Sequence, residues 1–425
     1  MVVPTQDTGE LKCQEGTPKV MDNSTISQRR YCRGQLLREQ LLVPFLVLSG
    51  LVTLIPDHLK VVAAPPVASK IVMPTEYFPP PESQGDWRSL LPPNGIPNAS
   101  QKQVIQQKCG IDWDALQSVW EYTRTAGGNS GFLVIRRGYI VGEWYHGCNH
   151  STTYNIYSSS KSYTTAAFGM LLGDVKAGHL PEHRDLSLET KVFSKKYLPE
   201  AMPLTDPRKA DITLRHLLSM TAGFAAESPP KEAPFKWVFG RGSDSSMAQL
   251  AADPGAQFYY SNGGAAHLLP LFHRITGRDL FPFLNERMFG PIGLHNIRWL
   301  QIGGNGDLGP YSQGYSGVLT TAREHARFCH LALHRGQWDG HRIVPEEYYD
   351  FAWEPTDADP EYGGMWWIYH VPERVVWTRG ARKNNGYVVP DKDLVFVRVG
   401  DATSDHFPDD FGRHLAAKVI ATIRD

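Results

Sequence analysis

The segments of this chain that read as β-strands lie in two groups, one on either side of a long helical middle. Phe132 to Arg136 and Tyr139 to Tyr145 are apolar, aromatic and β-branched runs joined by a tight turn at Arg137-Gly138. Met365 to His370, Arg374 to Thr378, Asn385 to Val389 and Leu394 to Val399 make the second group. Helical spacing occupies the ground between and around them: Ile111 to Thr125, a helix from Ser158 through Leu171 ending near Gly178, Ile212 to Gly223 with Thr213 as cap and Gly223 as stop, Gly263 to Ile275, Phe281 to Met288, Thr321 to His334, and a closing helix Phe411 to Ile423. Strands so separated share a core only by pairing across the chain ends. The expected fold class is therefore α+β, an antiparallel sheet built from both chain ends, flanked by helices, with an inserted helical lobe. A cleft between sheet and lobe is where a site belongs.

The 425 residues carry 43 Lys+Arg against 44 Asp+Glu, so no charge imbalance draws the protein to nucleic acid. Apolar content of 41% supplies a large core, and 39 Gly with 31 Pro imply many ordered loops. The first residues stand apart. Arg29, Arg30, Arg33 and Arg38 precede an uncharged run from Gln40 to Pro56, with small residues Ala63, Ala64 and Ala68 beyond. That layout predicts a leader over 1–64, an export signal or an anchor at 40–56, with the rest of the chain in the periplasm or outside the cell. The run is short for a membrane span and contains Pro44 and Gly50, which favours cleavage, and Met21 is an alternative start. Residues 65–105 form a Pro-rich arm whose Tyr77, Phe78 and Trp87 imply that it lies on the body, which occupies 106–425.

Of five cysteines, Cys13 and Cys32 fall in the leader, and an oxidising compartment would allow Cys109 to pair with Cys148, leaving Cys329. There is no CxxC or close His/Cys cluster, hence no metal site is expected. His216, His267 and His325 sit on helical patterns as packing or surface residues.

Tyr157-Ser158-Ser159-Ser160-Lys161 opens the helix that matters most for chemistry. Ser158 and Lys161 are one turn apart on the same face, so an amine of lowered pKa could take the serine proton. The helix start adds backbone N–H groups where an oxyanion would form, so the N–H of Ser158 is one candidate donor. The formula alone is cheap: Ser228-Pro229-Pro230-Lys231 also fits it, but two prolines and no following periodicity leave that copy without a helix.

Three blocks together carry more. Ser158-x-x-Lys161, then Ile212-Thr213-Leu214-Arg215-His216-Leu217-Leu218 with Thr221-Ala222-Gly223, then Tyr260-Ser261-Asn262 after Pro254-Gly255, resemble the serine β-lactamase and penicillin-binding superfamily in its class C-like branch. The arm and the segment Gly380-Ala381-Arg382 to Tyr387-Val388-Val389-Pro390 are similar to chains called 6-aminohexanoate-dimer hydrolase-like. The resemblance implies that Tyr260 works with Lys161 as a general acid/base pair, Lys161 keeping the phenol's pKa low. It implies that Asn262 bonds the substrate's acyl side or holds Lys161. The third block departs from the family's Lys-Thr-Gly: it is Thr378-Arg379-Gly380. Alternation puts Thr378 and Gly380 on one face and Arg379 on the other. Gly380 would leave room for substrate along the strand, Ala381 N–H would be the second oxyanion donor, and Arg379 or Arg382 would read a carboxylate or simply be exposed charge.

The reading is a serine hydrolase without cofactor, cleaving a small-molecule ester or amide through an acyl-enzyme on Ser158. Substrate contacts come from Asn262, Arg379 and Gly380, and the membrane is met only through an uncleaved leader. β-Lactamase, D-aminopeptidase or DD-peptidase activity is the first alternative, and a penicillin-binding-like sensor that never releases its acyl group the second.

Overall fold

Alternation in the strand segments sets an apolar row on each face, so their sheet has to be covered on both sides. The computed structural model describes residues 75–225, 249–302, 311–403 and 410–425. The expected leader and the Ser228–Lys231 segment lie outside the described residues. Strands β1 (Ser130–Arg136) and β2 (Tyr139–His146) come first. Short strands follow: β3 (Tyr154–Asn155), β4 (Arg298–Trp299), β5 (Gln301–Ile302), β6 (Tyr311–Ser312), β7 (Val318–Thr320), β8 (Gln337–Trp338) and β9 (His341–Arg342). The C-terminal group is β10 (Trp367–His370), β11 (Arg374–Gly380), β12 (Asn384–Val389) and β13 (Leu394–Gly400). The main sheet has the order β10-β11-β12-β13-β1-β2, every neighbour antiparallel, so it is assembled from both ends of the body as expected.

Its two faces feed two cores. On one, Phe132, Val134, Trp377, Tyr387 and Phe396 pack with Leu116 and Trp120 of α2 (Trp113–Arg124) and with Leu415 and Val419 of the closing helix 411–420, next to α1 (Ala99–Cys109). Trp377, Tyr387 and Phe396 stack across three strands, with centroids 4.9 and 4.3 Å apart. Each such burial contributes about 2–3 kcal/mol. On the other face Leu133, Ile135, Val376, Val388 and Val397 meet α3 (Ser160–Lys176) and the helix 322–333. Beyond α3 lies the inserted lobe, with α4 (Leu214–Leu218), α5 (Asn262–Ala266), α6 (Leu268–Thr276) and α7 (Leu280–Leu284); α8 (Ala322–Leu333), α9 (Glu346–Ala352) and α10 (Phe411–Ile420) complete the helices used here.

The arm is held by charge and by rings. Asp86 binds Arg327 (2.7 Å) and Arg323 (2.6 Å), and Arg323 reaches on to Glu143 (2.8 Å). Phe78 packs at a tilt against His334, and Trp87 meets His330 edge-on.

Three expectations need correction. The helix expected over Ile212 to Gly223 is α4 alone: Thr213 caps it, but the chain leaves helical geometry at Ser219, and Met220 turns to φ +60°. A helix lies where the arm was expected to continue, α1, started by an Asn98–Gln101 capping box and burying only Ile105 and Cys109. Cys109 and Cys148 are not paired: Cys109 contacts the carbonyl of Arg136 and Cys148 that of Ser130, at opposite ends of β1. Six strand residues span about 20 Å, far beyond disulfide reach.

Candidate active site

The residue before Ser158 sets the geometry. Tyr157 has φ +48°, a conformation that side chains other than glycine avoid, and Asn155 Oδ1 holds its N–H at 2.8 Å. The chain then makes a single 3₁₀ turn, Tyr157–Ser159, and enters α3. Ser158 is half-buried at this corner. Every residue from Ser160 to Leu171 is buried, so α3 is a central helix whose polar groups all need partners. Those of Ser159, Ser160, Ser162 and Thr164 find them in four separate segments. Ser159 Oγ donates to Asn384 O (2.7 Å), Ser162 Oγ to Met365 O (2.8 Å) and Thr164 Oγ1 to Gly314 O (2.6 Å). Ser160 Oγ donates to Tyr157 O (2.6 Å) and accepts from Val318 N (3.0 Å). The hydroxyl-rich start of α3 thus ties the sheet, β7 and the 313–317 loop around Ser158.

Lys161 is 1% exposed. Its Nζ lies 3.2 Å from Ser158 Oγ, 2.6 Å from Asn262 Oδ1 and 2.7 Å from the carbonyl of Tyr315. No carboxylate pairs with it among the described residues, and burial drives its pKa well below the ordinary lysine value. Asn262 begins α5, whose cap Ser261 accepts from Gly264 N (2.9 Å). Of the two roles expected for Asn262, the geometry gives it the hold on Lys161. Tyr315 left no sequence signal, since its main-chain carbonyl is what counts. Thr164 and the Trp299 indole, which donates to Gln313 O (3.0 Å) and Ser316 O (2.8 Å), fix that loop.

Tyr260 stands over this group, with the Lys161 Nζ 4.8 Å from its ring centre and the Trp367 ring stacked at 5.8 Å. Burial pushes its hydroxyl up to about 12, against the smaller opposing pulls of the Ser158 hydroxyl and the Arg379 charge. The expectation that Lys161 keeps this phenol low is therefore reversed: burial dominates, and the opposing pulls come from Ser158 and Arg379.

Strand β11 bears the third block. Thr378 is buried, accepting from Gly386 N (2.9 Å) and bonded to His325 Nε2 (3.1 Å), whose Nδ1 meets the Tyr163 hydroxyl (2.8 Å). Arg379 points to the other side, its guanidinium 4.9 Å from the Trp367 ring centre and 5.8 Å from that of Trp377. Among the described residues it forms no ion pair. Arg382 is exposed, 3.9 Å from Asp401. Gly380 has a packing reason to be small: a Cβ there would lie 2.1 Å from the carbonyl of Ile156. The strand end docks on the chain two residues before Ser158, and Ala381 follows directly.

A half-buried serine, a desolvated amine held on it and a phenol beside both can generate an alkoxide and return its proton, which is the equipment of acyl transfer. The family model for β-lactamases matches residues 123–421, and the chain belongs to that family, which places it broadly among serine hydrolases. Solved structures share the fold at low identity. A protein of Bacillus anthracis assigned as a 6-aminohexanoate-dimer hydrolase is 21% identical, with TM-score 0.55 over 72% of this chain and 81% of that one. A hydrolase with promiscuous acyltransferase activity, EstCE1, is 19% identical (TM-score 0.54; 72% and 98%), and a class C β-lactamase mutant 14% (TM-score 0.54; 73% and 96%). No curated protein sequence matches the chain.

Proposed function

We propose that the protein cleaves a small ester or amide through an acyl-enzyme, with Ser158 as nucleophile, Lys161 as its base and Tyr260 as proton donor to the leaving group. The observation that carries this is the set of partners around Lys161. A neutral amine has two N–H bonds and one lone pair. Asn262 Oδ1 and the Tyr315 carbonyl are acceptors only, so they take both N–H bonds and leave the lone pair for the Ser158 hydroxyl. The Ser158 and Ala381 N–H groups are the proposed oxyanion donors. Arg379, charged and without an acid partner among the described residues, supports a substrate that carries a carboxylate near β11, with Gly380 beside it. The altered third block favours esters and open-chain amides over β-lactams.

The test is a fluorophosphonate probe read by intact-mass spectrometry, beside p-nitrophenyl butyrate, p-nitroanilide and nitrocefin hydrolysis. Labelling of wild type that vanishes in Ser158→Ala, with a kcat loss on the order of 10⁶-fold, is expected. Full activity in Ser158→Ala would refute the mechanism, and one equivalent of label without turnover would favour a sensor. Nitrocefin turnover above that of the esters would make the protein a β-lactamase, and the same spectra report whether the leader is removed.

A further inference from the structure

Arg398 sits in the middle of the sheet on β13, opposite Asn385 of β12 and Phe132 of β1, and none of its surface is exposed. No carboxylate forms an ion pair with it among the described residues. Among the described residues, two of its three guanidinium nitrogens, Nε and Nη2, have no hydrogen-bond partner. Only Nη1 is engaged, donating to the carbonyls of Arg382 (3.0 Å) and Lys383 (3.2 Å). Those two residues are the β11–β12 turn, and both have positive φ, 55° and 60°. A buried cation without an acid costs several kcal/mol, and consecutive non-glycine residues at positive φ add about 1–2 kcal/mol each. Stability does not account for either feature.

The turn they build is the one that follows Gly380 and Ala381. Gly380 lies on the Ile156 carbonyl, and Ser159 Oγ bonds Asn384 O (2.7 Å), so one end of the turn is fastened to the Ser158 corner. Asn384 fastens the other, its Nδ2 donating to Ala381 O (2.9 Å) and Gly400 O (3.0 Å) and its Oδ1 accepting from Gly400 N (2.7 Å). Arg398 supplies the remaining restraint, from behind. Resting on the proposed function, we infer that Arg398 is a positioning residue of the hydrolytic site: it clamps the carbonyls of Arg382 and Lys383 and thereby holds the backbone at Ala381 against the Ser158 corner. It touches no substrate and acts only through the turn.

Arg398→Met keeps the length of the side chain and removes the donor and the charge. Loss of a preorganised oxyanion donor lowers kcat by about 10²-fold, with KM within about threefold of wild type. The melting temperature stays level or rises, because an uncompensated buried charge has gone. Arg398→Lys keeps a cationic donor on a shorter side chain without the planar fork, and gives a kcat between wild type and Met. Wild-type kcat in a folded Met variant overturns the inference. If the Met variant does not fold, wild-type kcat in Arg398→Lys overturns it equally, and failure of both to fold assigns Arg398 to the fold and not to the site. Ser158→Ala, run alongside, separates the two proposals: activity there refutes the proposed function, whereas an inactive Ser158→Ala with an unaffected Arg398→Met refutes the clamp alone.

Discussion

Asn262→Asp changes one atom's chemistry beside Lys161 and nothing in shape. It places a carboxylate oxygen 2.6 Å from Nζ. At an effective dielectric of about 20, two unit charges at that distance attract by about 6 kcal/mol, or about four pKa units. Desolvation of the new carboxylate offsets part, leaving an upward shift of Lys161 of about two to four units. The native amine is held well below its ordinary value by burial alone, with no acid to oppose it. In the variant the proton stays on the amine at neutral pH, and each unit of pKa above the working pH removes tenfold of the active form. At pH 7, kcat/KM for p-nitrophenyl butyrate falls, by about tenfold for each unit of the shift that lies above the working pH. The loss recovers as pH rises, because the acid limb of kcat/KM moves to higher pH and is not lowered uniformly. A pH–rate series on wild type and variant between pH 5 and 10 reads the shift directly. An acid limb that stays in place, or a loss equal at every pH, would refute Lys161 as a base held neutral by burial.

Two predictions concern the fold. His325 and His330 are held by burial at about 3 and His334 at about 4, against 6.5 in the unfolded chain. The unfolded state therefore binds more protons, and the stability these groups provide is complete above pH 6.5 and is lost as pH falls through about 4 for His334 and about 3 for His325 and His330. The slope is about 1.4 kcal/mol per pH unit for each, about 4 together, and urea unfolding at pH 7 and pH 5 with equal free energies would contradict it. Asp86→Ala removes the acid from Arg327, whose side chain is 2% exposed. It should cost about 3 kcal/mol while leaving kcat intact, measured by denaturant unfolding beside ester turnover; an unchanged midpoint would show that the carbonyls of Pro79, Pro80 and Ile292, to which Arg327 also donates, suffice.

The sheet could be read from the sequence because its signal is local: each strand alternates, and both groups end in turn residues. α8 was equally plain, since Thr321 caps it and its apolar spacing runs unbroken from Ala322 to Leu333. α1 was hidden because it buries only two residues and so carries almost no period. In the site, side chains announced themselves and backbone did not. Ser158, Lys161, Tyr260 and Asn262 meet where their motifs implied. The Tyr315 carbonyl, the positive φ of Tyr157 and the Ile156 carbonyl against Gly380 are main-chain features that arise only when distant segments dock. Arg398 reads in sequence as an arginine on a strand face; only the assembled sheet shows what it holds.

Burial acts on Lys161 and Tyr260 with opposite sign, and this divides the proposed labour between them. It lowers the amine and raises the phenol to about 12, favouring the lone pair on one and the proton on the other. A phenol so high is a poor base toward Ser158 but keeps a proton to give. The need for that proton depends on what departs. An amide nitrogen cannot leave as an anion, whereas p-nitrophenolate is stable at neutral pH and needs no acid. Tyr260→Phe keeps the ring on Trp367 and removes only the hydroxyl. Its kcat should then fall by about 10²–10³-fold on a p-nitroanilide, the range of general acid catalysis, and by less than about tenfold on the p-nitrophenyl ester of the same acyl group. Equal losses on the two substrates would mean that Tyr260 serves acylation at Ser158 itself, and the base would have to be shared between phenol and amine.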